Sequence, residues 1–238
     1  MSQLDKVIKP GSTIILDIDE CLIHVFEISK FPQVAETVKE MCAKNPMLRR
    51  RKFNMILDDG EEFIAIKRPH LDKFLNFIFR YFEHVIIWSA GRKDYVQKVV
   101  EHLLKYDHQY PDLVFSRDEA TYVDNKDYHK PISTIQLKHP ELVDYKNTLF
   151  VDDKEDNFRN FPRNGIAIPR FDSDEDNPYD EKDDMLMRLV DWLMSPSVIS
   201  SKDVRNLKKE NIFKNPASHK DYEPIKKQNR FLWTPAPL

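Results

Sequence analysis

The chain of 238 residues is poor in glycine and cysteine, and both shortages exclude whole classes of functional site. A P-loop, a dinucleotide-binding turn and a serine-hydrolase elbow each need at least two glycines a few residues apart. Two cysteines with no C-x-x-C spacing cannot form a zinc quartet, and they favour buried thiols in a reducing compartment. The four widely separated glycines and the two cysteines are Gly11, Gly60, Gly91, Gly165, Cys21 and Cys42.

The sequence also lacks an excess of one charge and a long hydrophobic run. The formal net charge is −3, which predicts no electrostatic attraction to nucleic acid or to anionic membranes. Residues 1–11 are polar and contain no signal-peptide core, and no apolar run approaches the roughly 18 residues of a membrane span. We therefore expect an intracellular protein, nuclear or cytoplasmic, with no membrane partner.

Alternating strand and helix patterns are what the sequence does contain. Short apolar runs typical of buried parallel strands occur at 13–16, 84–88, 113–115, 149–151 and 166–168. Helical spacing of apolar residues occurs at 71–82, 96–104 and 185–193. Residues 53–67 predict a hairpin with Asp59 and Gly60 in its turn. The fold class predicted is α/β, a doubly wound parallel sheet with a small hairpin insertion.

Two charged stretches set the expected domain limits. Residues 172–184 hold eight acidic residues against Lys182 and predict a solvated loop before the last helix. Residues 197–238 carry nine Lys/Arg against four Asp/Glu and lose the hydrophobic periodicity. We therefore expect one domain over 1–196 and a basic tail over 197–238, with Phe231 and Trp233 as residues that could dock it.

Reactive side chains follow the predicted strands. Asp17 and Asp19 follow the first strand, Ser89 follows the second, and Asp152 and Asp153 end the strand near residue 150. Because the carboxyl ends of parallel strands lie at one edge of a sheet, these side chains should converge. Clustered carboxylates need a cation, and hard oxygen ligands favour Mg²⁺. Arg117 and Lys130 lie between the last two groups in sequence and would supply positive charge.

Four motifs in this order resemble those of the haloacid dehalogenase (HAD) superfamily of phosphatases. Within it, the sequence resembles the RNA polymerase II CTD phosphatase branch, the small CTD phosphatase or NLI-interacting-factor family. The resemblance covers roughly residues 12–194. The matching stretches are DIDECLIH (17–24), IKRPHLDKFLNFIFRYFEHVIIWSA (66–90), FSRDEATYV (115–123), YHKPIS (128–133), LFVDDKEDNF (149–158) and NGIAIPRF (164–171).

The resemblance implies a HAD-like fold and an Mg²⁺-dependent phosphatase. Asp17 would be the nucleophile that forms an aspartyl-phosphate, and Asp19 the general acid and base. The implied metal site comprises Asp17, the backbone carbonyl of Asp19, Asp152 and Asp153. The implied phosphate-binding residues are Ser89, Lys130 and Arg117, and the implied substrate-binding residue is Tyr95.

Each of these residues has a plainer interpretation when it is taken alone. Ser89 could cap the helix that begins near Arg92, and Lys130 could be a solvated lysine at a helix start. Arg117 could form a surface ion pair, and Tyr95 could belong to an apolar helix face. The order of the motifs at strand ends is what favours the catalytic interpretation.

The sequence departs from the family pattern at three places, one of which is Pro131, where the family has a polar residue after the motif lysine. Cys21 stands where the family usually has threonine, and because a thiol donates hydrogen bonds weakly, we expect reduced activity. Residues 28–52 exceed the usual length and include the basic run 49–52. We expect them to add a helix or the edge of a lid.

No large cap fits between the motifs, so the site should be open and suited to an extended phosphopeptide. We expect a protein phosphoserine/threonine phosphatase acting on a segment like the polymerase C-terminal repeat. One alternative is a phosphatase of nucleic-acid ends or nucleotides, although the charge disfavours nucleic acid. A second alternative is a catalytically weak or inactive adaptor, as in a membrane-translocase relative of this family.

Overall fold

A computed structural model describes residues 9–104, 110–123, 127–172 and 181–218 as an α/β structure, which confirms the predicted class. The strands are Lys9–Leu16 (β1), Ile23–Glu27 (β2), Lys52–Ile56 (β3), Glu62–Lys67 (β4), Phe82–Trp88 (β5), Leu113–Phe115 (β6), Thr121–Val123 (β7), Asp127–His129 (β8), Thr148–Asp152 (β9) and Gly165–Ala167 (β10). The helices are Pro32–Lys44 (α1), Pro46–Arg51 (α2), Leu71–Tyr81 (α3), Lys93–Leu104 (α4), Ile132–Lys138 (α5), Met185–Leu193 (α6) and Pro196–Ile199 (α7).

The central sheet has five parallel strands in the order β10-β9-β1-β5-β6. Successive side chains of the middle strand β1 point to opposite faces of the sheet, and both sets are buried. Ile14 and Leu16 belong to the hydrophobic cluster that includes α3, α4 and α6, whereas Ile15 belongs to the cluster that includes α5. The sheet is therefore covered on both faces, as the continuous apolar runs predict.

The insertion between β1 and α3 is larger than the predicted hairpin. Strands β3 and β4 form that hairpin, and β2 pairs with the other edge of β4 to give a three-stranded antiparallel sheet, β2-β4-β3. Helices α1 and α2 occupy most of the long stretch 28–52, where the sequence predicts an extra helix. Among the described residues, no further insertion of comparable size covers the carboxyl edge of the main sheet.

The described part of the predicted tail packs on the domain. Val198, Val204 and Ile212 are buried and belong to the cluster formed by β1, α3 and α6. The Trp192 indole N–H on α6 donates to the Lys208 carbonyl at 3.1 Å. The packed unit thus continues beyond the predicted limit at residue 196. The sequence pattern does not reveal this, because the apolar residues of this basic stretch are sparse and lack a regular period. Phe231, Trp233 and acidic-run residues 173–180 lie outside the described residues.

None of the described helices has the length and apolar character that would let it cross a membrane.

Candidate active site

Three carboxylates meet at the carboxyl edge of the main sheet. Asp17 directly follows β1, and Asp152 is the last residue of the neighbouring strand β9. One carboxylate oxygen each from Asp17, Asp152 and Asp153 lies within 4.8 Å of the others. Asp17 and Asp152 are buried and Asp153 is half-buried. The sheet therefore concentrates negative charge where the strand ends predict it.

Lys130 partly compensates this charge. Its ammonium nitrogen lies 2.5 Å from an Asp17 oxygen and 2.8 Å from an Asp152 oxygen, and its side chain is almost fully buried. Burial alone would lower the pKa of Lys130, but the Asp17 and Asp152 carboxylates raise it above the usual lysine value. Lys130 is therefore a fixed cation that touches two of the three acids.

Burial and mutual repulsion act on the acids in the opposite sense. Burial, followed by the Asp152 charge, raises the pKa of Asp17 well above its usual range, against the lowering effect of Lys130. Burial and Asp152 also raise the pKa of Asp153. Three carboxylates face the Lys130 ammonium and, at 3.8 Å from Asp153, the half-exposed Arg170 guanidinium that also pairs with Asp172. Negative charge therefore remains in excess in a buried place, which is costly without a further cation. Oxygen ligands alone, at these separations, fit Mg²⁺.

Asn157 fixes the orientation of Asp152. Its side-chain amide donates to both carboxylate oxygens of Asp152 at 2.8 Å, and the Lys154 backbone N–H donates to one of them at 2.9 Å. Asn157 belongs to the stretch LFVDDKEDNF (149–158). Its position five residues beyond Asp152, in the 3-10 helix Glu155–Phe158, is what returns its side chain to the strand end.

Asp19 lies apart from the metal-ligand cluster and is held by two hydroxyl groups. The Ser89 hydroxyl donates to one Asp19 oxygen at 2.9 Å, and the Tyr95 hydroxyl donates to the other. Burial raises the pKa of Asp19, although the hydrogen bonds from Tyr95 and Ser89 lower it in part. The carboxylate of Asp19 thus has a different environment from that of Asp17, although only Ile18 separates them.

Ser89 and Tyr95 contact Asp19 directly, which gives both a positioning role. Ser89 is fully buried, and its hydroxyl also accepts a hydrogen bond from the Gly91 backbone N–H at 2.9 Å. Tyr95 is nearly buried on α4. Both side chains contact Asp19 in the structure, and the predicted contacts of Ser89 with phosphate and of Tyr95 with substrate stay predictions.

A cleft of about 180 Å³ opens onto these groups. Its lining includes Asp17, Asp19 and Lys130, and the other lining residues are Glu20, Ala90, Tyr128, Asp153, Lys154, Asn157 and Arg170. Tyr128 on β8 packs against the exposed ring of Tyr122 on β7, with ring centroids 5.0 Å apart. The cleft therefore has a charged floor and an aromatic wall.

Arg170 is the cation at the mouth of the cleft, and the sequence interpretation missed it. Its guanidinium lies 3.8 Å from Asp153 and 3.7 Å from Glu20, and it pairs with Asp172 at 2.8 Å. It follows β10, so the strand-end rule applied to that short strand would have found it.

The predicted phosphate residue Arg117 is not among the residues that line the cleft. Its backbone N–H donates to the Gly91 carbonyl at 3.0 Å, and its side chain is half-buried. Its place beside Gly91 makes it a neighbour of the Ser89 loop, and its role in phosphate binding stays a prediction.

Arg68 ties the loop after β1 to the loop after β10. This buried guanidinium donates to the Cys21 carbonyl at 3.1 Å and to the Pro169 carbonyl at 2.8 Å. It also pairs with Asp183 at 2.9 Å. Arg68 therefore holds the loops that carry Asp19 and Arg170 in a fixed relation.

Cys21 behaves as a small apolar residue in the described structure. It is fully buried and belongs to the main hydrophobic cluster. Burial, then the nearby Asp17 charge, raises the pKa of its thiol well above the usual value. The thiol therefore stays protonated and does not add a charge to the site.

A family model described as NLI interacting factor-like phosphatase matches residues 12–205. The putative CTD phosphatase-like protein 355R of Invertebrate iridescent virus 6 is 29% identical over 139 residues, which cover 55% of this chain and 74% of that protein. The mitochondrial import inner membrane translocase subunit TIM50 of Candida albicans is 28% identical over 139 residues, or 58% of this chain and 26% of that protein.

The fold also resembles that of a solved phosphatase. The structure of the fission yeast RNA polymerase II CTD phosphatase Fcp1 bound to beryllium fluoride matches with a TM-score of 0.51 at 22% identity. The match covers 68% of this chain and 42% of that chain. This chain therefore spans about a quarter of the translocase subunit and less than half of the yeast phosphatase.

Proposed function

The chain belongs to the NLI interacting factor-like phosphatase family, and we propose that it is an Mg²⁺-dependent phosphatase that forms an aspartyl-phosphate on Asp17. The observation that carries the proposal is that two carboxylates on one loop have different contacts. Asp17 contacts Lys130 inside the acidic cluster, whereas the half-buried Asp19 lies outside it and is held by Ser89 and Tyr95. This difference supports a role for Asp17 as the attacking group and for Asp19 as the group that exchanges a proton.

In the first step, an Asp17 oxygen attacks phosphorus and the bond from phosphorus to the leaving oxygen breaks. Asp19 donates its proton to that oxygen, a role favoured by burial that raises its pKa. The second Asp17 oxygen or a phosphoryl oxygen can share Lys130, whose fixed charge offsets the negative charge that builds in the transition state.

In the second step, Asp19 removes a proton from a water molecule, which attacks the phosphorus of the aspartyl-phosphate. The Asp17–phosphorus bond breaks, inorganic phosphate leaves, and Asp17 is restored. The hydrogen bonds from Tyr95 and Ser89 keep Asp19 in one orientation through both steps.

Asp17, Asp152 and Asp153 would hold the Mg²⁺ ion, together with the backbone carbonyl of Asp19 that the family resemblance implies. When bound, the ion reduces the repulsion between the substrate phosphate and the Asp17 carboxylate. Asn157 and Lys130 keep the Asp152 carboxylate oriented towards this place.

The substrate class that we favour is a phosphoserine or phosphothreonine segment of a protein, of the polymerase C-terminal-repeat type. The open cleft, with Tyr128 on one wall and Arg170 at the mouth, leaves room for a chain that continues past the phosphorylated residue. The viral relative is named as a CTD phosphatase-like protein, which points the same way. A nuclear or cytoplasmic location stays a prediction from the sequence.

The test of the chemistry is release of p-nitrophenol from p-nitrophenyl phosphate with and without Mg²⁺. We expect Mg²⁺-dependent turnover in the wild type and a loss of about a thousandfold or more in Asp17→Asn, which removes the nucleophile. Asp72→Asn, at an exposed position on α3, is the control and should keep full activity. Equal rates in Asp17→Asn and wild type would contradict the proposal, and an inactive wild-type protein that binds Mg²⁺ would favour the adaptor alternative.

The substrate class is tested by comparing a phosphoserine peptide of the polymerase repeat with a 5′-phosphorylated oligonucleotide. We expect a higher kcat/KM for the peptide and a weak dependence on salt. A preference for the oligonucleotide with a steep decline of activity as salt rises would instead indicate contacts to a phosphate backbone.

A further inference from the structure

A second cavity, larger than the active-site cleft, lies on the inserted three-stranded sheet. It has a volume of about 450 Å³ and shares no lining residue with the cleft. Its lining residues come from α1, α2, β3 and β4 and are Ala35, Val38, Lys39, Cys42, Ala43, Arg49, Lys52, Asn54 and Ile64. We refer to this cavity as the insertion groove.

The insertion groove exists because one face of the inserted sheet is only partly covered. Met55 and Ala65 point from the sheet into the main hydrophobic cluster, so the other face is left for α1 and α2. Val38 and Cys42 of α1 pack with Ile64 of the central strand β4. Strand β3 lies at the edge of the sheet, and its residues on this face remain outside that small cluster.

The alternation of side chains on β3 makes the uncovered face amphipathic. Lys52 and Asn54 line the groove, and Ile56, two residues further on the same face, is 61% exposed. This face of β3 therefore carries polar side chains along the groove and one exposed aliphatic side chain beyond its lining.

The charge of the groove has one sign. Lys39, Arg49 and Lys52 surround an apolar floor, and no Asp or Glu is among the lining residues. Lys39 pairs at 3.2 Å with the exposed Glu36, and Lys52 donates to the Asn54 side chain at 2.6 Å. Three cations thus lie close together in a chain whose formal net charge is −3.

We propose that the insertion groove binds an acidic peptide segment of a partner protein that also carries aliphatic or aromatic side chains. The apolar floor would bury one or two of these side chains, and the three cations would pair with flanking carboxylates. The groove is open along an edge strand, which suits an extended or helical chain. This binding would be independent of phosphatase chemistry, since the groove and the cleft use different residues.

The first experiment measures binding of a fluorescein-labelled 12-residue peptide of alternating glutamate and leucine to the full chain by fluorescence anisotropy. One control peptide replaces glutamate by lysine, and another replaces leucine by serine. We expect saturable binding of the glutamate–leucine peptide and at least about tenfold weaker binding of both controls, because each removes one half of the complementarity.

Two substitutions locate the binding site. Arg49→Glu reverses a charge in the lining, whereas Arg50→Glu reverses its exposed neighbour outside the lining and serves as the matched control. We expect about a tenfold loss of affinity in the first and little change in the second. Ala43→Trp, at an exposed lining position, should fill the groove and weaken binding without disturbing the core.

Activity on p-nitrophenyl phosphate separates this inference from the proposed function. All three variants should hydrolyse it like the wild type. If the wild type had no phosphatase activity, the proposed function would fail, but the peptide-binding experiment could still be carried out and interpreted. No saturable binding, equal binding of the lysine peptide, or equal affinities of the Arg49→Glu and Arg50→Glu variants would each overturn the inference. Stronger Arg49-dependent binding to phosphatidylserine vesicles than to the peptide would also overturn it, in favour of a membrane surface.

Discussion

At the scale of single residues, the two acids on the loop after β1 differ because their neighbours differ. Asp17 contacts the Lys130 ammonium, whereas Asp19 accepts hydrogen bonds from Ser89 and Tyr95. Glu20, the next residue, adopts a left-handed backbone conformation with φ of 59°, which is uncommon for a residue with a side chain. The side chain of Glu20 itself lines the cleft and lies 3.7 Å from the Arg170 guanidinium.

The Tyr95 hydroxyl provides a residue-scale test of this arrangement. Tyr95→Phe removes the donor to Asp19 while it keeps the ring that packs on Phe63. We expect kcat on p-nitrophenyl phosphate to decrease by about tenfold, the value of one hydrogen bond to a charged group, with little change in KM. Tyr81→Phe, which loses a buried hydrogen bond to the Leu193 carbonyl, is the matched control and should keep its kcat. Equal kcat values in Tyr95→Phe and wild type would argue against a positioning role.

At the scale of elements, the turn between β5 and α4 brings Ser89 to Asp19. A Cβ atom added at Gly91 would lie 2.6 Å from the Tyr95 ring and 3.2 Å from the Ser89 hydroxyl. Only glycine leaves room for both side chains, since contacts this short force one of them to move. The turn therefore requires glycine for packing around Asp19.

Gly91→Ala should consequently damage activity more than a glycine substitution elsewhere. We expect kcat to decrease by tenfold or more, because displacement of Tyr95 or Ser89 releases Asp19. Gly60→Ala is the comparison: its Cβ would meet nothing within 4 Å, but its φ of 87° strains any other residue. Gly60→Ala should lower the melting temperature and leave kcat unchanged. The reverse pattern would mean that Gly91 matters for stability alone.

Helix α6 attaches the C-terminal segment of the described structure. Asp184, at its start, accepts hydrogen bonds from the Ala217 backbone N–H at 2.8 Å and from the Arg188 guanidinium at 2.6 Å. Arg188 also donates to the Phe213 carbonyl at 2.6 Å. Burial alone would raise the pKa of Asp184, but these hydrogen bonds lower it below the usual value.

Asp184→Asn should therefore destabilise the fold in a pH-dependent way. Because the folded-state pKa is lowered, the stabilisation is complete above the unfolded value of about 3.9 and disappears as the pH decreases through the folded value. At pH 7 we expect a loss of about 1–2 kcal/mol in the free energy of unfolding, or a few degrees in melting temperature. Thermal unfolding followed by circular dichroism at pH 7 and at successively lower pH would check this. A difference from wild type that persists unchanged at low pH would contradict it.

At the scale of the whole molecule, the buried excess of negative charge at the sheet edge links stability to a cation. The acids come from the ends of adjacent strands β1 and β9, so the native sheet assembles the cluster and an unfolded chain does not. A ligand that binds only the folded state raises its stability by an amount set by its concentration relative to Kd.

We therefore expect Mg²⁺ to raise the melting temperature. At a concentration one hundred times Kd the stabilisation is about 2.7 kcal/mol, or about 5–10 °C for a domain of this size. Asp152→Asn should lose most of the shift, and EDTA should reverse it in the wild type. A shift of the same size in Asp152→Asn would place the cation elsewhere.

The local sequence determined the elements and much of the site. The apolar runs at 13–16, 84–88 and 149–151 predict strands, because a strand that is buried on both faces has apolar side chains at consecutive positions. The strand-end rule then places Asp17, Ser89 and Asp152 at one edge of the sheet. The sequence could not specify β2 or the two-stranded ribbon of β7 and β8, because short strands with mixed side chains lack a distinctive period.

Only the tertiary structure decided which side chains meet. Lys130 reaches Asp17 across 113 residues of chain, and Arg68 joins loops that are far apart in sequence. Such contacts depend on how helices and loops cross the sheet, and hydrophobic periodicity carries no information about that. The same reason explains why Arg170, not Arg117, lies at the cleft, and why the uncovered face of β3 becomes a cationic groove. The chain encodes its strands locally, but the distances between its charges arise only when the sheet is assembled.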